Sequence, residues 1–248
     1  KCKLTELPFD LTQVAANSSL IELDLGNNLF TETPQVIGSL TSLNELFIYV
    51  NQLTQVPHYF SNLTNLSVLN LAINYLTDFD FKTLFPLSFS LRQLKISKNL
   101  ITKISSSIVA FSNLVDLNVS GNHIAELPTE FTELTNLRWL SLKSNKLSCL
   151  PSNFSKLVNL IEFNVSNNQL LSLPDNFIFH ALKIFIAESN ELQSLSLNLC
   201  LPALVELSLA HNHLSTLPDS ISTLERLEKI NLSFNKLESL PVSFGLLK

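Results

Sequence analysis

Asparagine recurs along this chain at a nearly constant interval of about 23 residues, a period typical of stacked-repeat proteins. Each asparagine closes the same phrase, L-x-x-L-x-L-x-x-N-x-L, so the leucines keep one register with the amides. In such an architecture each repeat buries its apolar side against the next one. These residues, termed here the ladder asparagines, are Asn28, Asn51, Asn74, Asn99, Asn122, Asn145, Asn168, Asn190, Asn212 and Asn235.

Alternating leucines in each phrase, such as Leu140 and Leu142, predict one very short strand with one buried face. Copies of this strand stacked at about 4.8 Å would form a parallel sheet over a continuous core. The ladder asparagine falls where the chain leaves the strand. Its amide can pair with backbone N–H and C=O groups that are shielded from water. The sequence therefore predicts a solenoid with a structural asparagine ladder.

The outer side of each repeat follows the phrase L-P-x-x-F-x-x-L-x-x-L, in which proline suits the turn that leaves the core. The aromatic position is expected to be core packing and not a cofactor site; it holds Phe60, Phe131, Phe154, Phe177 and Phe244, or Ile37, Ile108 and Ile221. The repeat before Asn99 is longer than the others, and the repeats ending at Asn190 and Asn212 are shorter. We expect these changes in outer-side loops, where they weaken the prediction of helical turns.

The pattern resembles the leucine-rich-repeat superfamily over essentially the whole chain, and it is similar to the intracellular Ras-group repeats in particular. Those repeats occur in Ras-binding and Scribble-type scaffolds, fungal adenylyl cyclase and certain PP2C-type phosphatases. The resemblance implies an α/β-type solenoid, a right-handed horseshoe with a concave parallel β-sheet and short helical or 3-10 turns on the convex side. Residues 1–248 are expected to form one domain of about ten full repeats, with partial repeats at both ends, within a longer protein.

Net charge and cysteine content limit the classes of partner and the cellular compartments that fit this chain. A net charge of −5 argues against nucleic acid as the main partner, and no stretch reaches the roughly 20 apolar residues of a membrane span. The three cysteines are expected to be buried free thiols, which favours a reducing, cytoplasmic compartment. Seven N-x-S/T sequons leave an extracellular location open; they begin at Asn17, Asn62, Asn65, Asn118, Asn153, Asn164 and Asn231.

Residues capable of catalysis form no recognisable set. His211 and His213 flank a ladder asparagine and should point in different directions, and Ser208 lacks the third partner of a triad. Four glycines in the chain leave little scope for a phosphate-binding loop. We therefore expect no enzymatic activity, no metal and no cofactor.

The residues that flank the buried strand leucines should point onto the concave surface, where most are small or polar. Two clusters differ, one around Phe47 with Val50 and Ile73 nearby, and one around Trp139, the only tryptophan. Aromatic and arginine side chains are enriched among interface anchors, although such aromatics also stabilise sheets through cross-strand pairs. The predicted partner-binding residues are Phe47, Tyr49, Val68, Lys95, Lys98, Arg138, Trp139 and Lys143.

These observations favour a protein–protein interaction module that binds a partner on its concave face, in intracellular signalling or scaffolding. The family resemblance implies small GTPases or phosphatases as partners. Two alternatives stay open from the sequence. One is a regulatory domain of a larger phosphatase, kinase or cyclase, and the other is an extracellular recognition domain.

Overall fold

The computed structural model describes residues 3–6, 19–196 and 198–247. Within these residues, ten three-residue strands form one parallel sheet in chain order. This arrangement confirms the predicted solenoid with its parallel sheet. The strands are β1 (Glu22–Asp24), β2 (Glu45–Phe47), β3 (Val68–Asn70), β4 (Gln93–Lys95), β5 (Asp116–Asn118), β6 (Trp139–Ser141), β7 (Glu162–Asn164), β8 (Ile184–Ile186), β9 (Glu206–Ser208) and β10 (Lys229–Asn231).

The middle residue of each strand points into the core, and the two flanking residues face the concave side. Leu46, Leu69 and Leu94 are fully buried, while their neighbours along the strand are partly exposed. The sheet keeps a constant register, because each first residue pairs with the first residue of the next strand, as in Asp116 with Trp139. The concave face therefore consists of straight columns of residues that run across the strands.

The convex side carries short 3-10 helices, as the family resemblance implied. Among the described residues there are eight: η1 (Gln35–Ser39), η2 (His58–Asn62), η3 (Phe85–Phe89), η4 (Ser106–Phe111), η5 (Thr129–Glu133), η6 (Phe154–Lys156), η7 (Asp219–Thr223) and η8 (Val242–Leu246). Five of them begin directly after a proline in extended conformation. Proline holds φ near the value found at this position and has no N–H to leave unpaired.

The convex aromatic slot is part of the core, as predicted. Phe60, Phe131, Phe154 and Phe177 are fully buried, whereas Phe244 in the last repeat is only partly buried. Further phenylalanines thicken the core beneath the carboxyl-terminal half of the sheet. Phe163 and Phe185, the middle residues of β7 and β8, stack with their ring centroids 5.6 Å apart and nearly parallel planes.

The two short repeats replace the convex helix with extended chain. No 3-10 helix occurs among the described residues between β7 and β9. Instead, Ile178 and Cys200 form a parallel bridge, in which the N–H of Phe179 donates to the carbonyl of Cys200 at 3.0 Å. Removing one residue leaves too little chain for a helical turn, so these repeats have strand-like pairing on both sides. The longer repeat before Asn99 keeps its helix, η3, within the loop.

From Asn51 to Asn235, each ladder asparagine bonds two backbone groups of the preceding repeat and at least one of its own. The Oδ1 of Asn122 accepts the N–H of Ile101 at 3.0 Å, while its Nδ2 donates to the carbonyls of Ile96 at 3.0 Å and Val119 at 2.9 Å. Every ladder asparagine from Asn51 to Asn235 makes the same set of bonds. The amide thus takes the place of a backbone partner where the chain turns out of the strand.

The residue before each ladder asparagine adopts the left-handed conformation. This position is glycine only at Gly121; elsewhere it includes the β-branched residues Val50 and Ile73, with φ of 53° and 58°. A β-branched side chain in this region is crowded by its own backbone, at a cost of roughly 1–2 kcal/mol. The repeat imposes this conformation because the ladder amide can reach its partners only from such a turn.

A second series of amides, which the sequence did not indicate, lies on the opposite side of the strands. Asn65, Asn113, Asn136 and Asn159 each precede a strand and donate through Nδ2 to carbonyls of the previous repeat. These bonds are exposed, unlike those of the ladder asparagines between Asn51 and Asn212, whose side chains are buried. Water can replace a lost partner here, so this series contributes less to stability.

We predict that Asn122→Ala lowers the free energy of unfolding by about 3 kcal/mol, because each buried group left unpaired costs about 1–3 kcal/mol. Urea-induced unfolding followed by circular dichroism measures the change. The matched control is Asn136→Ala, which removes one exposed bond to the carbonyl of Ser112 and should cost less than about 1 kcal/mol. Equal losses in the two variants would show that burial of the ladder is not what makes it important.

Candidate partner-binding face

The structure places the predicted binding residues on the concave face or at its borders. Phe47 ends β2, Val68 begins β3, Lys95 ends β4 and Trp139 begins β6. Tyr49, Lys98 and Lys143 follow their strands, and Arg138 precedes β6. Phe47 and Trp139 lie four strands apart, about 19 Å by strand spacing. The face therefore carries two separate regions.

The first region, termed the amino-terminal patch, consists of Phe47, Tyr49, Val68, Val50 and Ile73. All five side chains are partly or fully accessible, and Ile73 is 42% exposed. The Tyr49 ring lies directly over Gly26, where a Cβ atom would come within 2.5 Å of it. Glycine at this position lets the ring rest on the backbone of the preceding repeat. Tyr49 is thus packed against the preceding repeat and stays partly exposed.

The basic residues expected beside this patch lean away from it. Lys95 forms an ion pair with Asp116 on β5, with 3.6 Å between Nζ and Oδ2. The aliphatic part of Lys98 covers Gly121, which follows β5. Both lysines therefore extend toward the carboxyl-terminal half of the sheet. The structure groups Lys95 with the region around Trp139 and not with Phe47.

The second region, termed the central groove, is a depression of about 340 Å³ lined by Lys95, Asp116, Trp139, Glu162, Ile184 and Ile186, together with short polar residues of the same strands. Trp139 is 39% exposed on the rim, and the two isoleucines are partly exposed. Beneath them lie the stacked rings of Phe163 and Phe185, each 1% exposed. A tightly packed floor of this kind restricts the movement of the groove residues.

Four of these residues, Asp116, Glu162, Ile184 and Ile186, were not among the predicted binding residues, although the sequence periodicity places them on the concave face. An isolated isoleucine in a strand gives no signal in the sequence, because most strand isoleucines are core residues. Here the register shows that both isoleucines face outward on β8 and lie beside Glu162 and Asn164 of β7. They lie near Trp139 because equivalent residues of successive strands line up in columns, and no local sequence motif marks them.

The charges of the central groove are mostly acidic. Burial raises the pKa of the Asp116 carboxyl above its ordinary value, and the nearby ammonium of Lys95 partly opposes that rise. Glu162 is exposed, and its carboxylate has no ion-pair or hydrogen-bond partner among the residues that the structure describes. Lys143 lines an adjoining depression that also contains Glu188 and the ion pair of Lys229 with Glu206.

His211 and Ser208 make contacts that do not suit a catalytic role. His211 stacks on Phe234 with ring centroids 4.2 Å apart, and the hydroxyl of Ser208 donates to the carboxylate of Glu188. Within residues 3–6, 19–196 and 198–247 there is no group of three or more His, Cys, Asp or Glu side chains placed to hold a metal ion. Nor do these residues include a helix of the length and apolarity that crossing a bilayer requires.

One expectation about cysteine is wrong. Cys149 and Cys200 are free thiols, but Cys149 is exposed and Cys200 is only partly buried. Cys149 lies on the outer side, in a slot that other repeats fill with polar residues such as Glu126 and Ser172, so the apolar neighbours in sequence do not cover it. Cys2 lies outside the described residues.

Comparison with solved structures shows many chains of the same architecture. PEPR1, solved with AtPEP1, is 29% identical, with a TM-score of 0.80 over 95% of this chain and 34% of that chain. A leucine-rich-repeat protein of Leptospira interrogans is 27% identical, with a TM-score of 0.70 over 99% of this chain and 74% of that chain. A chain of the octameric complex of Latrophilin 3, Unc5D and FLRT2 is 23% identical, with a TM-score of 0.79 over 99% of this chain and 77% of that chain, which shows the fold alone.

No curated protein matches the chain. Comparison of the sequence with family models agrees with the structural comparison. Two models of the leucine-rich repeat do match, one over residues 89–147 and 112–170 and the other over residues 203–224 and 226–247. These segments together span half of the chain, and the ladder extends the same phrase over the remainder. This chain is therefore a leucine-rich-repeat protein.

Proposed function

We propose that this chain is a protein-interaction module that binds a partner protein on its concave face. The observation that carries the proposal is the exposure of large apolar side chains in columns that a solvated sheet would fill with polar ones. Exposed apolar clusters on soluble proteins commonly mark interaction sites. The residues proposed to contact the partner are Phe47, Tyr49, Val68, Lys95, Lys98, Arg138, Trp139 and Lys143, extended by Glu162, Ile184 and Ile186 of the central groove.

Backbone strain at the amino-terminal patch supports this proposal. Val50 and Ile73 are the two β-branched residues at these left-handed positions, which hold asparagine, serine, glycine, lysine, histidine or phenylalanine in the other repeats. Strained residues persist where the surrounding structure enforces them, and they cluster at functional sites. An apolar contact with a partner would account for keeping β-branched side chains at an exposed position that disfavours them.

Two similar structures also fit this role. PEPR1 was solved with AtPEP1, and FLRT2 was solved in a complex with Latrophilin 3 and Unc5D. Solenoids present long open surfaces that suit extended contacts of this kind. The proposal assigns partner binding and no catalysis to the residues described.

We place the module in intracellular signalling or scaffolding. The free thiols of Cys149 and Cys200 fit a reducing compartment, because an exposed thiol such as Cys149 would be oxidised or paired outside the cell. Small GTPases and phosphatases are the partner classes that the Ras-group resemblance suggests, and a regulatory role beside a phosphatase, kinase or cyclase domain would use the same face.

Extracellular recognition is the second candidate, and the sequons favour it. Asn118 and Asn164 stand in the central groove beside Trp139. Their Oδ1 atoms accept the N–H groups of Ser120 and Ser166, which leaves each Nδ2 facing the concave side. A glycan at either site would fill the groove. Glycosylation there and partner binding in the groove therefore exclude each other.

We predict that Phe47→Ala and Trp139→Ala each weaken capture of the partner from native cells about thirtyfold, which corresponds to about 2 kcal/mol for a central aromatic contact. Quantitative mass spectrometry of the captured proteins measures the change. Thermal melting should change little, since neither side chain is in the core.

The matched control is Phe89→Ala, which removes an aromatic ring that is 73% exposed on the convex helix η3. Capture should be unchanged in this variant. Loss of capture in Phe89→Ala, with capture retained in Phe47→Ala and Trp139→Ala, would move the interface to the convex side and reject the proposal.

We predict that Asn118 and Asn164 are unmodified in protein isolated from its native source. Glycopeptide mass spectrometry before and after enzymatic removal of N-linked glycans tests this directly. Full occupancy at either site would exclude the central groove as a binding surface and would favour the extracellular alternative.

A further inference from the structure

Charged and apolar side chains alternate regularly along one column of the central groove. From β5 to β9 the first residues of successive strands are Asp116, Trp139, Glu162, Ile184 and Glu206. Each step crosses one strand, about 4.8 Å. The column therefore presents three carboxylates separated by two apolar side chains, over a distance of about 19 Å.

The carboxylates of this column are poorly neutralised from within the protein. The ion pairs of Asp116 with Lys95 and of Glu206 with Lys229 are long, at 3.6 and 3.5 Å, and Glu162 between them has no partner among the described residues. Long, partly exposed pairs of this kind contribute little. Cationic groups from a partner would complete the hydrogen bonding of all three carboxylates, and aliphatic groups would cover Trp139 and Ile184.

The spacing of the column discriminates between an extended partner and a helical one. One face of an extended chain presents a side chain about every 6.7 Å, so its second position already falls about 2 Å away from the next strand. A helix presents one side chain per turn on a given face, about every 5.4 Å. The helical spacing exceeds the strand spacing by about 0.6 Å per step, so the difference accumulated over four strands is only about 2.4 Å. Flexible lysine or arginine side chains can compensate for a difference of this size.

The width of the face also suits a helix. Residues of the first and last columns, such as Asp116 and Ser120, lie four positions apart along the chain, about 13 Å. A helix with its side chains is about 10–12 Å wide. A bound helix would lie across the strands, above the columns formed by the first and third residues of each strand. The stacked rings of Phe163 and Phe185 would support it from below.

We infer that the partner segment bound in the central groove is an amphipathic α-helix that crosses the strands, with basic and aliphatic residues alternating one turn apart on its bound face. This inference rests on the proposed function and names the chemistry of the partner. The basic residues meet Asp116, Glu162 and Glu206, and the aliphatic residues meet Trp139 and Ile184.

The test uses the whole chain and a synthetic peptide of about 15 residues, which spans about 21 Å as a helix. In this peptide a lysine occurs every seven residues, and a leucine stands about one helical turn after each lysine. A side-chain cross-link on the opposite face keeps the peptide helical. The peptide contains no aromatic residue. Emission from Trp139, the only tryptophan, then reports binding in the groove directly. We expect a saturable change in emission that weakens as salt is added.

Two comparisons make the result specific. A peptide of the same composition with its lysines and leucines on different faces, and one with a central proline that prevents a helix, should bind at least about tenfold more weakly. Glu162→Lys in the protein should weaken binding of the original peptide about tenfold. Glu130→Lys, which makes the same charge change on the convex helix η5, should have no effect.

Equal binding of the original, rearranged and proline-containing peptides would overturn the inference, as would equal binding by the Glu162→Lys and Glu130→Lys proteins or no change in emission. The proposed function is judged separately. If capture of the native partner falls in Trp139→Ala while no helical peptide binds, the concave face is a binding surface but its ligand is not a basic helix. If capture is unaffected in Phe47→Ala and Trp139→Ala, the proposed function itself fails.

Discussion

The pairing of one side-chain amide with three backbone groups is the interaction on which this solenoid depends. A strand of three residues cannot satisfy the backbone of the turn that follows it, and the ladder asparagine supplies the missing partners from inside the core. The leucines account for most of the buried apolar area, yet apolar burial alone has no direction. The amides fix which groups of one repeat face which groups of the next, and so they fix the register of the sheet.

That register converts sequence periodicity into a binding surface. Since every strand pairs in step, residues separated by one repeat become neighbours on the concave face, and distant parts of the chain act as one column. The amino-terminal patch and the central groove are both products of this arrangement. Each combines side chains from several repeats that have no special spacing within any single repeat.

The parts of the structure that the sequence could predict are those that repeat. The ladder, the strands and the aromatic slot follow from periodic positions such as Asn122, Leu140 and Phe131. Features that occur in only one repeat were harder to predict from the sequence. The sequence did not show that Lys95 would turn toward Asp116, that Ile184 would join Trp139, or that Cys149 would be exposed, because each outcome depends on which side chain happens to stand one repeat away. The exposed asparagine series was also overlooked, because the position before the first leucine of the phrase holds asparagine in only some repeats, whereas Ser90, Ala181 and Arg226 stand there in others.

The extended convex segments near Ile178 and Cys200 bear on the shape of the molecule. A solenoid bends because helical turns on the outside need more room per repeat than paired strands on the inside. Where strand-like pairing occurs on both sides, the two surfaces advance by the same distance of about 4.8 Å, and the bend is locally removed. The bridge joins the repeats of β8 and β9, next to the groove. We therefore expect the arc to be flatter where the proposed helix would lie, so that the loss of single residues from the outer loops affects the curvature of the inner face.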